Sequence, residues 1–248
     1  MMPSLGELYL ASDSDPAPIV EFLRELAEGY ELPQPLHVLD VGCGPGRLLG
    51  PLERLRWQVT GMEPNPDFLA TARAAAGSSR RVSVLRGGFQ DIAASEEFDL
   101  VIGINSSFAH LLRPAERADA LRRVYDALRP GGVVFLDLPN FLYILKNFRA
   151  PEPYTFQAQG ESVTLHRRHE IDFHAATVIT TDEYVFARSG RSETQLVHAY
   201  GITTFPELQN HLDELGFEDL RTFASYTSRA GERLSGPRIM VAARRPPA

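Results

Sequence analysis

Short apolar runs separated by amphipathic stretches make up the first half of the chain. Residues 36–41 (Leu-His-Val-Leu-Asp-Val) run straight into glycines, the pattern of a buried strand meeting a turn. Similar runs at 58–62, 82–85, 98–104 and 133–138 predict four more strands. Helical stretches lie between them. One is expected over 46–56, with Pro51 as an internal kink or restart. A second starts at Asn65, with Pro66 and Asp67 in its first turn, and runs through alanines to about residue 76. A third opens at Pro114 and is stopped by Pro130-Gly131-Gly132. Alternation of this kind implies a parallel sheet with helices on both faces.

The rhythm changes after Pro139. A short helix is predicted over 141–148. Segments 162–173, 177–187 and 192–200 are then rich in Thr, Val, Tyr and Phe, with turns near 174–175 and 189–190. Such closely spaced strands favour an antiparallel meander. Thr204-x-x-Glu207 reads as a capping box before a helix over 207–215, closed by Gly216. Segments 217–226 and 238–243 supply two final strands. The expected architecture is an α/β core from 1–140 and 201–248, with an antiparallel β insertion over 141–200 serving as a lid or a homodimer contact.

Composition narrows the function. The 248 residues are 44% hydrophobic and 23% charged, which permits a sizeable core. The net charge of −7 disfavours nucleic acid and anionic membrane as partners. No run approaches the ~20 apolar residues of a membrane span, and residues 1–18 lack a secretory pattern. One cysteine excludes an intrachain disulfide, and a cytoplasmic location is expected. His166 and His169 fall on opposite faces of a predicted strand with no cysteine cluster near, so no metal site is expected.

The chemistry concentrates at Asp40-Val41-Gly42-Cys43-Gly44-Pro45-Gly46. Glycines between a strand and a helix let the backbone turn tightly and approach a ligand, and amides at a helix start favour its negative part. A dinucleotide fingerprint G-x-G-x-x-G needs glycine at 47, where Arg47 stands. Asp40 sits at a buried strand end, where a carboxylate needs a partner such as a ligand amine or loop amides. Glu63, at the end of the second strand, has the geometry to accept two hydrogen bonds from a ribose diol. Cys43 reads as a small apolar filler.

These residues resemble motif I of the class I S-adenosylmethionine (SAM)-dependent methyltransferases, usually D-x-G-x-G-x-G. The resemblance spans about residues 36–243 and implies a Rossmann-like, seven-stranded sheet with SAM as cofactor. By it, Asp40 and the loop (Gly42, Cys43, Gly44, Gly46) hold the methionine end, and Glu63 binds the ribose hydroxyls. Gly88-Phe89-Gln90-Asp91-Ile92 matches the segment that meets adenine, with Asp91 toward its amino group. Leu128-Arg129-Pro130-Gly131-Gly132 matches the family's turn after the helix.

Ligands of open α/β sheets sit beyond the carboxyl ends of the strands, so Ile104 and Asn105 and the segment to His110 face cofactor and acceptor. Glu-Leu-Tyr at 7–9 and Ser-Ser-Phe-Ala-His-Leu at 106–111 are similar to bacterial small-molecule methyltransferases, including amino-sugar N-methyltransferases. That resemblance implies that His110 and Tyr9 line the acceptor pocket, with His110 as a base for a small-molecule acceptor, N or O. The competing readings are a SAM-binding protein without catalysis and, further off, a nicotinamide oxidoreductase.

Overall fold

The computed structural model describes residues 4–12, 15–158, 160–188, 190 and 192–248. Two helices, α1 (Leu5–Ser12) and α2 (Ala17–Gly29), precede the first strand. Then come β1 (His37–Val41), α3 (Leu49–Arg54), β2 (Gln58–Glu63), α4 (Pro66–Ala76), β3 (Val82–Arg86), β4 (Phe98–Gly103), α5 (Pro114–Ala127) and β5 (Leu128–Pro139). After α6 (Phe141–Lys146) follow β6 (Tyr154–Ala158), β7 (Glu161–Asp172), β8 (Thr177–Phe186) and β9 (Ser192–Gly201). The chain ends with α7 (Phe205–Glu214), β10 (Glu218–Phe223) and β11 (Arg238–Arg244).

The main sheet has seven strands in the order β10-β11-β5-β4-β1-β2-β3, the expected Rossmann-like arrangement. β1 pairs in parallel with both β2 and β4, while β11 lies antiparallel between β5 and β10. The chain crosses from one half of the sheet to the other at β1 and β4, which opens a crevice beyond their carboxyl ends. The central strands are apolar throughout because both faces are covered. Val38, Leu100, Ile102 and Phe135 pack toward α2 and α3, and Leu39, Val101, Val134 and Leu136 toward α5 and α7.

Several boundaries differ from expectation for local reasons. α3 starts at Leu49, so Pro51 falls in its first turn, where no intrahelical amide bond is lost, and no kink is needed. α7 starts at Phe205. Thr204 Oγ1 accepts from the Glu207 amide at 3.4 Å, but the Glu207 carboxylate turns away to Arg117 Nε at 2.8 Å, so only half of the capping box forms. Pro130-Gly131-Gly132 bulges within β5, where the register against β4 jumps, instead of preceding the strand.

The insertion is a separate four-stranded antiparallel sheet, β6-β7-β8-β9, one strand more than expected. The turn anticipated at 189–190 lies partly outside the described residues. Inward-facing residues divide this sheet into three zones. Val163, Leu165, Tyr184 and Phe186 pack on Leu5, Leu8 and Phe68. Arg167, His198 and Tyr200 face the crevice of the main sheet. His169, Ile171, Val178 and Thr180 face α6. His166 pairs across to Glu183 and His169 to Thr180, on opposite faces, as their spacing requires.

Candidate active site

A cavity of about 640 Å³ opens beyond the carboxyl ends of β1, β2 and β4. It is lined by Tyr9, Asp40, Gly42, Cys43, Gly44, Glu63, Phe89, Gln90, Asp91, Ile104, Asn105 and His110, and closed over by Arg167, His198 and Tyr200.

The three loop glycines are required for different reasons. Gly42 has φ +74°, and a Cβ there would lie 2.5 Å from Ser107 Cβ. Gly46 has φ +90°, and its Cβ would press on Leu49 and Ala72. Gly44 has φ +58°, yet a Cβ would meet nothing within 4 Å. Gly42 and Gly46 serve packing, whereas Gly44 presents bare backbone to open space. Gly46 and Ile92 do not line the cavity. Ile92 is a core residue whose carbonyl accepts from Arg123.

The loop amides do not form an anion site. Gly42 N and Cys43 N donate to the Met62 carbonyl at 2.8 and 3.0 Å, and Gly44 N donates to Glu63 Oε2 at 2.9 Å. With α3 starting five residues past Gly44, the helix end is remote from the loop's open face. What the cavity offers on this side is carboxylate oxygen. Glu63 also accepts from Asn65 N at 2.8 Å, leaving a second lone pair on each of its oxygens. Burial raises its pKa, and the two amides partly offset that. Asp40 is 2% exposed, and its pKa is pushed up to about 7, first by burial and then by the charge of Glu63, against the pull of Arg47. Asp91 caps its own 3-10 turn by accepting from Gly88 N at 2.9 Å. Cys43 is buried over Gly61 with its thiol pKa raised by desolvation, the setting of a filler and not of a nucleophile.

The loop after β4 forms the floor between the two sides. Asn105 and Ser106 both have positive φ, 55° and 75°. Such strain persists only where surrounding structure holds it. Here Asp137, at the end of β5, takes Asn105 N on Oδ2 and Ser106 N on its carbonyl. Arg238 fixes Asp137 Oδ1 at 2.6 Å and Ser106 Oγ at 3.0 Å, and Tyr226 OH donates to Asp137 Oδ2 at 2.6 Å. Asn105 Nδ2 donates in turn to Tyr9 OH at 2.8 Å, bringing α1 to the site. Of this network, the sequence reading had singled out only Tyr9 and Asn105.

On the other side, His110 ends a 3-10 turn and is exposed into the cavity. Its Nδ1 lies 3.1 Å from the Ala199 carbonyl. A carbonyl only accepts, so Nδ1 carries the proton and Nε2 the lone pair. The enclosing protein lowers its pKa by desolvation, which keeps the ring neutral at pH 7. His198 lies 5.5 Å away, ring to ring, its pKa pushed down to about 4 by burial and by His110. Tyr200 touches both rings. Arg167 is locked to the buried Asp182 through two bonds of 2.7 and 2.6 Å.

Residues 38–132 match the methyltransferase domain family. A ubiquinone biosynthesis O-methyltransferase of Methylobacterium sp. (strain 4-46) is 36% identical over 108 residues, 42% of each chain. Among solved structures, the CcbJ methyltransferase of Streptomyces caelestis superposes with TM-score 0.79 at 20% identity, covering 98% of this chain and 96% of that one. The sugar N-methyltransferase KedS8 of Streptoalloteichus sp. gives 0.77 at 21%, covering 99% and 94%. The fold of this chain is theirs. The matched domain and the fold are those of the class I SAM-dependent methyltransferases, and the chain is a methyltransferase enzyme whose cofactor is SAM. No helix among the described residues is long and apolar enough to cross a membrane.

The donor set suits that cofactor. SAM presents an amine, a ribose diol, an adenine amino group and a cationic sulfonium, and this side of the cavity presents the carboxylates of Asp40, Glu63 and Asp91. A pyrophosphate would find loop amides already bonded to β2.

Proposed function

We propose that this enzyme methylates an amine nitrogen of a small-molecule acceptor held between the glycine loop and the inserted sheet. The observation that carries the reading is a single cavity with carboxylates on one wall and neutral imidazoles on the other. Glu63 takes the ribose hydroxyls on its remaining lone pairs, Asp40 faces the methionine amine, Asp91 the adenine amino group, and Gly44 allows close approach. Residues 1–140 and 201–248 form the cofactor unit, and 141–200 the acceptor-side cover. A chain shaped like a sugar N-methyltransferase supports nitrogen over oxygen.

Bound SAM supplies a methyl group already activated by its sulfonium. The protein's part is to align the nucleophile and hold its lone pair free. His110 Nε2 takes one proton from the acceptor ammonium. The freed nitrogen pair forms the new N–C bond while the C–S pair returns to sulfur. Tyr9, fixed through Asn105, walls the approach. The experiment is turnover of SAM to S-adenosylhomocysteine with panels of small amines and of phenols or alcohols. Product only with amines supports the reading, product only with hydroxyl acceptors overturns nitrogen as the target, and SAM binding without turnover on either panel favours the non-catalytic alternative.

A further inference from the structure

A second cavity of about 250 Å³ adjoins the first. Ser106, Arg167, Tyr200 and Arg238 line both, so the two are separated only by shared side chains. One wall of the second is α6 and the residues after it, with Phe141, Ile144, Leu145 and Phe148. The other is the third zone of the inserted sheet, with Ile171 and Val178.

Its charged groups and its imidazole are already engaged. His169 Nδ1 is 2.8 Å from Thr180 Oγ1, and burial with the Arg167 charge lowers its pKa, keeping it neutral. Arg167 is paired with Asp182, and Arg238 with Asp137; both aspartates are buried, at 1% and 2% exposure. Each guanidinium is already charge-matched by a buried carboxylate, so the cavity holds no uncompensated positive charge to favour a phosphate or carboxylate. An uncharged hydrocarbon needs none. Phe148, 48% exposed at this wall, is apolar surface that an occupant would cover.

Resting on the reading of an amine acceptor above, we propose that the acceptor is amphipathic: its reacting nitrogen sits beside His110, and an uncharged apolar portion of the same molecule fills the cavity between α6 and β7–β8. Apolar burial there sets which acceptor is chosen, because the mouth beside His110 is common to any small amine.

The test uses primary n-alkylamines from propyl to octyl, titrated calorimetrically into the full chain with and without saturating S-adenosylhomocysteine. The Kd is expected to fall about fourfold per added methylene until the cavity is full. Ile144→Asp should flatten that dependence while leaving propylamine and S-adenosylhomocysteine affinities as they were. Phe148→Asp, at a half-exposed position whose ring touches only His169 among the aromatic rings, carries the same test with less disturbance of packing. A length-independent Kd, no binding at any length, or tighter binding of an alkylamine bearing a terminal phosphate would overturn the apolar subsite. Failure to bind S-adenosylhomocysteine would instead strike the methyltransferase reading, and the slope measured without it stays readable.

Discussion

The two walls of the cavity are built on opposite principles. On the main-sheet wall, carboxylates stand at strand ends with raised pKa values, and Glu63 is fixed by the backbone amides of Gly44 in the glycine loop and of Asn65. On the facing wall, made by the inserted sheet and the turn after β4 that carries His110 against it, ionisable groups are silenced: imidazoles are held neutral and arginine is matched to buried aspartate. The first wall is specified by backbone conformation and presents acceptors to a donor-rich ligand. The second is specified by which side chains a β face turns inward, and it can be changed one residue at a time without disturbing the loop. A ligand common to a whole class belongs with the rigid wall, and a ligand that varies belongs with the exchangeable one.

The largest effect should come from the second wall. His110→Asn is expected to lower turnover about a hundredfold or more while SAM affinity stays near that of the parent. Calorimetry and a turnover assay on one preparation check this, and a parallel loss of SAM affinity would erase the division between walls. Glu63→Ala should do the converse, weakening SAM binding by about 1–3 kcal/mol, the scale of charge-assisted hydrogen bonds, with less effect on acceptor binding.

Substitution within the loop sharpens the comparison further. Gly42→Ala combines positive-φ strain with a clash on Ser107, and should destabilise the fold by about 2–3 kcal/mol in denaturant melts. Gly44→Ala meets only the conformational penalty, about 1 kcal/mol, and its remaining effect should appear as lost SAM affinity. Equal destabilisation by the two would refute their separate roles.

The last effect, confined to acid, is the pH response of the second wall. His198 folds with its pKa depressed from the usual 6.5 to about 4, so the unfolded chain binds more protons across that interval. Its contribution to stability is complete above pH 6.5 and is lost as pH falls toward 4. The melting temperature of His198→Gln should therefore decline less steeply over that window than that of the parent.

Much of the first wall was legible because its signals are local. Apolar runs fix β1, β2 and β4, the first of them passing straight into glycine, and Asn65 caps α4 through its own side chain, accepting from Asp67 N and Phe68 N. α2 and β6 also carry local signals, apolar positions at 19, 22, 23 and 26 and an alternation at 154, 156 and 158, which lie outside the elements expected from the sequence. The second wall was not legible, for a physical reason. Which parity of β9 faces inward depends on a register shift against β8 between Asp182 and Glu183, after which His198 and Tyr200 sit opposite Thr180 and Val178. A one-residue shift turns every side chain to the other face, and composition does not report it. The Asp137–Arg238 pair was hidden likewise, because it exists only once β11 docks against β5.

That docking has a consequence in time. Asp137 and Arg238 are 101 residues apart, and at about 5–20 residues per second the ribosome separates their synthesis by about 5–20 s. Through that interval the loop carrying Asn105 and Ser106 lacks the guanidinium that holds it. The nascent chain can build the parallel strands and the glycine turn early, but the floor of the cavity waits for the last strand of the sheet. Methyl transfer competence is thus acquired in one late step, and a chain released before β11 is made would carry the cofactor side of the site without a finished place for the acceptor.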